Sequence, residues 1–190
     1  MKKWILVGLV GLLLLGLGAA MYNGVMNDQA TELIDEKWTV ESDQIQEINI
    51  SGLEQPVEVI IQRSEEEKTT VRVSGTVAEE TLKTVKEGFQ EEEGIVTLPF
   101  SKDGLIMTVK QDKPTVTIEI VLGKAASFQE FYLQSTHGEV ALTLPSDYDG
   151  GYELEAKDGG QILEQPQAGQ GKEMVELHAA GNISVKKSGN

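Results

Sequence analysis

Three glycines set a period. Gly138, Gly160 and Gly181 each head a near-copy of one short segment: Gly138-Glu139-Val140-Ala141-Leu142, Gly160-Gln161-Ile162-Leu163 and Gly181-Asn182-Ile183-Ser184-Val185, at steps of 22 and 21 residues. Ahead of them, Tyr132, Leu154 and Val175 fall in one phase, and Gln134, Ala156 and Leu177 in the next inward one. A fixed step of about 20 residues, with alternating apolar positions and a glycine in each copy, predicts a solenoid in which every repeat lays one rung on the last. Such a scaffold presents a surface; it does not by itself build an enzyme pocket. The glycines read as bends where the backbone needs positive φ.

The start of the chain constrains location. Residues 4–22 (Trp4 to Tyr22) are apolar and uncharged, preceded by Lys2 and Lys3. As a helix this run rises about 28 Å, close to the hydrocarbon thickness of a bilayer. Trp4 and Tyr22 bracket it as interfacial anchors. The lysines before it and Asp28, Glu32, Asp35 and Glu36 after it predict a single-pass helix, with its N-terminus in the cytoplasm and the remainder outside the cell membrane. A signal peptide cut near Gly18-Ala19-Ala20, giving a secreted protein, is the alternative. The chain has no cysteine, so an exported domain must be stabilised by core burial rather than disulfides.

Two of the 16 bases precede the apolar run, leaving 14 against 31 acids in the exported part. That balance repels phosphate backbones, so nucleic acid and anionic headgroups are not expected partners. Basic proteins, neutral glycans and anionic polymers bridged by divalent cations are compatible with it.

Residues 1–22 thus read as anchor or signal, 23–40 as a spacer with a short helix at 29–37, and 41–187 as one β domain. Ile48-Asn49-Ile50, Val57 to Ile61, Val71-Arg72-Val73, Leu105 to Val109 and Val116 to Leu122 alternate with period two. One helix is predicted over 77–88, with Thr76 and Glu79 as a capping box, Gly88 as its stop, and a narrow stripe of Leu82, Val85 and Phe89. In the repeat region Ile118, Ile120 and Leu122 align with Val140, Leu142 and Leu144. The last rung, Gly181 to Val185, lies near the chain end, where Lys186 and Lys187 would blunt its free edge. The fold class is therefore mainly β: a parallel β-solenoid or stacked β-sheet roll with one short helix, behind an N-terminal transmembrane helix.

Leu144-Pro145, then Tyr152-Glu153-Leu154-Glu155-Ala156, then Gly160-Gln161-Ile162 form a leucine-proline, strand, glycine, strand unit. With the opening Ile48-Asn49-Ile50 and Val57 to Ile61, this order resembles the LiaG-like putative-adhesin domain family over residues 43–186. The resemblance implies a bacterial domain attached to or exported across the cell membrane, in some members beside envelope-stress signalling systems. The helix near residue 82 and Leu122-Gly123, where a leucine-proline pair belongs, depart from the family pattern.

Residues able to carry chemistry are few. Without cysteine there is no thiol nucleophile or thiolate metal site. His137 and His178 fall two rungs apart, about 10 Å at best, too far to share a metal. Ser135 beside His137 has no orienting third group in the sequence. Asp147 and Asp149 flank Tyr148 before Gly150-Gly151, and Asp158 precedes Gly159-Gly160; these acids read as turns, because the later glutamate of a calcium loop and the nonapeptide calcium repeat are missing. Glu65 to Glu67 and Glu91 to Glu93 read as solvated loops, and Asn49-Ile50-Ser51 and Asn182-Ile183-Ser184 as chance glycosylation triplets inside strands. Trp38 reads as a packing residue at the domain entry.

No catalytic, cofactor-binding or metal-binding residues are therefore assigned. The expected function is non-enzymatic: a membrane-anchored extracytoplasmic domain presenting a binding surface at the bacterial cell envelope, held in the membrane through residues 4–22, with an envelope protein or glycan as partner. A regulatory ectodomain of an envelope-stress system is the alternative. A glycan-acting enzyme is a third reading, requiring two acids from adjacent rungs facing a groove.

Overall fold

The computed structural model describes residues 29–101 and 113–189. The membrane helix expected at 4–22 and the strand expected at 105–109 lie outside these residues. Among the described residues no helix is long and apolar enough to cross a membrane.

Chain order runs β1 (Glu32–Val40), β2 (Gln44–Leu53), β3 (Val57–Arg63), β4 (Thr69–Val77), α1 (Glu79–Gly88), β5 (Gln90–Glu92), β6 (Ile95–Pro99) and β7 (Val116–Leu122). It continues through β8 (Ser127–Ser135), β9 (Val140–Leu144), β10 (Gly151–Ala156), β11 (Ile162–Glu164), β12 (Met174–Ala179) and β13 (Ile183–Lys187). The strands form a seven-stranded sheet, β1-β4-β7-β3-β9-β13-β11, and a six-stranded sheet, β10-β12-β8-β2-β6-β5. Five rungs, each a strand of the six-stranded sheet followed by one of the seven-stranded sheet, stack in parallel register. Their spatial order is β10/β11, β12/β13, β8/β9, β2/β3, β6/β7. At the last of these the stack gives way to antiparallel strands, β5 in one sheet and β4 with β1 in the other.

The rung prediction thus holds for the unit and fails for the winding. The fold is a roll of two mixed sheets, not a solenoid laid down in chain order, because the β9–β10 connection steps over the β12/β13 rung. Tyr148 in that connection is buried and pins the step. Its ring stacks on Phe128 at 6.1 Å and meets Tyr152 at 5.6 Å, and its hydroxyl donates to the Gly151 carbonyl at 2.9 Å. Asp147 adds an ion pair to Arg63 at the end of β3, 2.7 Å.

The glycine alignment is in true register. Ile162 pairs with Ile183 and Ile183 with Val140, each two residues past its glycine. A β-carbon on Gly160 would collide with the backbone of Gly181, one on Gly181 with the backbone of Gly138, and one on Gly138 with Gln55 and Pro56. Of these three only Gly138 has positive φ, 94°. Close approach of successive backbones, and not a left-handed bend, is what requires glycine at the other two positions.

Strand phase needs correction. Leu133, Leu177 and Leu154 are the true partners, as are Phe131, Val175 and Tyr152. Tyr132 and Gln134 therefore point outward, since a slip of one residue exchanges the faces of a strand. In the other sheet Val116 and Val140 both pair with Val57, so Ile118 aligns with Leu142 and not with Val140. The β13 strand lies between β9 and β11, but the three-residue β11 pairs only with Ile183 and Ser184, so Lys186 and Lys187 stand past the end of β11 on the stretch of β13 it leaves unpaired.

The N-terminal half belongs to the same stack: β2 lies against β8 and β3 against β9. The helix expected at 29–37 is instead strand β1, paired along its length with β4, so residues 32–40 are part of the sheet and not spacer. Ile34 and Val40 are buried and Trp38 stacks on Phe89 at 4.7 Å, which draws the segment onto the core. The helix α1 forms as expected but begins two residues later. Ala78 is the N-cap without a side-chain bond, so Thr76 makes no capping box, and Gly88 is the last helical residue, packed against Pro99. Val85 is buried, and Leu82 and Phe89 pack against the core beside it.

Candidate functional site

Alternation gives each sheet one face toward the shared core and one toward solvent. The inward residues of both sheets merge into a single apolar cluster running from Ile34 to Val185. What remains for function is the pair of outer faces, and they differ in charge.

On the seven-stranded sheet the outward positions mix small or hydroxylated residues, among them Ser184, Ala141, Thr143, Thr117, Ser74 and Thr70, with Glu58, Ile60, Gln62 and Val121. Its charges are of both signs, and Arg72 lies 2.8 Å from Asp35 and 3.6 Å from Glu119. That pairing holds the Asp35 carboxyl below its ordinary range, chiefly through the Arg72 hydrogen bond.

The six-stranded sheet presents rows of carboxylates. Glu153 pairs in register with Glu176, whose neighbour on β8 is Tyr132, followed by Asn49 and Thr97. A second row holds Glu155, His178 and Gln134. A third runs from Met174 through Glu130 and Glu47 to Ile95. Parallel neighbours lie about 4.8 Å apart, so the acids of a row share one field.

His178 bridges two of these rows. Its Nδ1 lies 2.7 Å from Glu155 and its Nε2 2.6 Å from Glu176. Hydrogen bonding to Glu176 is the largest influence and raises the His178 pKa above its ordinary value; burial opposes it, and the bond to Glu155 adds to the rise. Lys157, 3.0 Å from Glu155, lowers that carboxyl's pKa with help from His178. The Tyr132 ring sits 5.7 Å from the imidazole, and desolvation followed by the Glu176 charge raises its phenol pKa. The Glu153 side chain has neither a hydrogen bond nor an ion pair among the described residues, and two shallow open depressions adjoin the third row. One, of about 320 Å³, is bordered by Glu47, Glu130, Lys172 and Met174; the other, of about 560 Å³, by Gln90, Glu92, Glu93 and Thr97; Ile95 borders both.

The residues singled out from sequence are scattered. His137 follows β8, with Nδ1 buried and without a hydrogen bond. The buried Ser135 hydroxyl donates to the His137 carbonyl at 2.8 Å. Asp147 is engaged by Arg63, and Asp149 Oδ2 accepts the Gln170 N–H at 3.3 Å. Asp158 is a turn residue with φ of 52°. Among the described residues no group of three or more His, Asp or Glu is arranged to hold a metal ion. Of the acid runs, Glu91 is no idle solvated residue: its carboxylate accepts the N–H groups of Glu41 and Ser42, both at 2.8 Å, and fixes the β1–β2 turn. Adjacent-rung acids of the kind a glycan-acting enzyme needs do occur, as Glu47 beside Glu130, but on an open sheet face.

The carboxylate rows were missed by sequence reasoning, although they leave a trace there. Tyr152-Glu153-Leu154-Glu155-Ala156 and Val175-Glu176-Leu177-His178-Ala179 match position for position at a step of 23, and that match is the observed register.

No protein-family model and no curated protein matches the chain. Among solved structures it is similar to a crystal structure from Clostridium sporogenes described as a putative cell adhesion protein, at 12% identity over 83% of this chain and 100% of that one, with a TM-score of 0.32. It is also similar to a crystal structure from Bacteroides fragilis described as a putative adhesin, at 12% identity over 84% of this chain and 99% of that one, with a TM-score of 0.31.

Proposed function

We propose that this chain is a non-enzymatic surface domain, anchored through residues 4–22 and displayed outside the cell membrane, that binds a cationic component of the bacterial envelope. The observation that carries this reading is the set of in-register carboxylate rows on the outer face of the six-stranded sheet. A rigid, flat array of like charges with few internal counterions favours association with an opposite array and steers it at long range. The opposite sheet mixes both signs of charge, Arg72 with Asp35 and Glu119 among them, and does not set carboxylates beside each other in register in the same way. The apolar run at residues 4–22, ahead of the acidic domain, supports that placement.

The test uses residues 23–190 mixed with washed bacterial envelopes and sedimented. Co-sedimentation that weakens from 0.05 to 0.5 M salt, and falls in a Glu153→Lys/Glu176→Lys variant, supports the reading, because surface attraction is screened over about 10 Å at 0.1 M. Absence of co-sedimentation, or binding indifferent to salt and to the variant, contradicts it. For the full chain, protease added to intact spheroplasts should remove the domain.

A further inference from the structure

Among the described residues four strands end the two sheets: β1 and β11 in one, β10 and β5 in the other. Three are guarded against further pairing. β5 and β11 are three residues each, and the β11 register is irregular. β1 is nine residues long, but Glu36 sits in its inward phase, opposite Val73, and is tied to Lys86 of α1 at 3.0 Å. Short strands, irregular register and inward charges are the usual means of keeping an edge from recruiting another chain.

β10 has none of them. It runs six residues in unbroken register with β12. Gly151 donates to the Glu173 carbonyl and Lys157 to that of Ala179, so the odd-numbered residues bond toward β12. In a parallel ladder the alternate residues, Tyr152, Leu154 and Ala156, then turn their N–H and C=O groups to the open side. Their side chains face the core and are only half-buried, as befits the last rung among the described residues. Outward on the same strand stand Glu153 and Glu155, with Glu176 one strand in.

We propose that β10 is a docking edge that takes up an extended segment of another protein, with basic residues at alternate positions and apolar residues between them. It rests on the function proposed above and assigns that surface a mode of binding: strand addition, in which main-chain bonds give affinity and alternate side chains give selectivity. The apolar side chains of the incoming strand would cover Tyr152 and Leu154, and its basic ones would stand beside Glu153 and Glu155. Charge decides the occupant. A second copy of this chain paired edge to edge would set Glu153 and Glu155 against themselves in a molecule of net charge −15, which like-charge cross-strand contacts disfavour.

The probe is a nine-residue peptide of alternating lysine and valine, N-methylated along one edge so that it cannot form sheets with itself, compared with its glutamate-valine counterpart. Binding to residues 23–190 is followed by fluorescence anisotropy and amide hydrogen exchange. The lysine peptide should bind at least about tenfold more tightly than the glutamate peptide and slow exchange at Tyr152, Leu154 and Ala156. Leu154→Pro, which deletes an edge donor at a position where proline is tolerated, should abolish binding. Glu153→Lys, at a side chain with no partner to lose, should narrow the preference between the peptides. Equal binding of both peptides, protection confined to other strands, an unchanged preference in Glu153→Lys, or dimerisation through β10 in sedimentation equilibrium would each overturn the proposal. Envelope binding that survives Leu154→Pro alongside a silent peptide would remove the docking edge and leave the surface function standing; peptide binding without envelope binding would do the reverse.

Discussion

The backbone of Gly138 occupies the space that a β-carbon on Gly181 would need, and the backbone of Gly181 does the same to Gly160. Three successive rungs therefore touch main chain to main chain at one corner of the roll. The side chains beside them continue the contact: Asn182 donates to Glu139 at 2.8 Å and its carbonyl oxygen accepts the Gln161 N–H at 3.0 Å. Repetition in the sequence is here the direct record of a packing constraint.

Gly181→Ala should thus destabilise the domain by roughly 2 kcal/mol or more, the range for overpacking at a site that cannot yield. Gly138→Ala should cost more, because its positive φ adds about 1 kcal/mol of backbone strain. Gly189→Ala, with open space around it, should fall within about 0.5 kcal/mol of wild type. Urea unfolding of residues 23–190 measures all three.

The His178 cluster makes stability depend on pH in a defined window. A raised pKa in the folded state means that its contribution is complete below the ordinary histidine value of 6.5 and fades as pH rises through the folded value. Glu155, with a lowered pKa, contributes fully above its ordinary 4.5 and less as pH falls through its folded value. The stability difference between wild type and His178→Gln should therefore be largest between pH 4.5 and 6.5 and shrink on either side. Denaturation midpoints of both proteins across pH 4 to 9 check this, and a difference that grows above neutrality would contradict it.

Glu91 anchors the β1–β2 turn through two backbone N–H groups. Glu91→Ala should cost about 1–2 kcal/mol, low in the range for charge-assisted bonds because the site is wet. Glu92→Ala should cost little. Hydrogen exchange at the Glu41 and Ser42 amides should quicken in the first variant and not in the second.

How far the sequence could be read follows from what each signal measures. The glycine step is visible because it is imposed by a contact between equivalent positions. The strand phase before those glycines is not, since aligning on the glycines alone ignores the differing loop lengths; Leu154 to Leu177 is a step of 23, not 21. β1 escaped because an edge strand tolerates Glu36 in its inward phase, which spoils the apolar alternation of Ile34, Trp38 and Val40. The carboxylate rows became a surface only once β10 and β12 were known to be neighbours, and the order of rungs leaves no periodic mark at all. What accompanies the out-of-order step is a single buried residue, Tyr148, in the β9–β10 connection.

That order is the central claim, and a chain without cysteine lets it be tested by introduced pairs. Tyr132 and Glu153 face outward on β8 and β10, and in a solenoid wound in chain order they would be adjacent. Here Glu176 of β12 lies between them, about 10 Å of sheet apart from end to end, beyond the Cα separation of about 7 Å that a disulfide can span. Mild copper-phenanthroline oxidation of Tyr132→Cys/Glu176→Cys should give an intramolecular disulfide, and Tyr132→Cys/Glu153→Cys should not. Efficient cross-linking of the second pair with failure of the first would contradict the account.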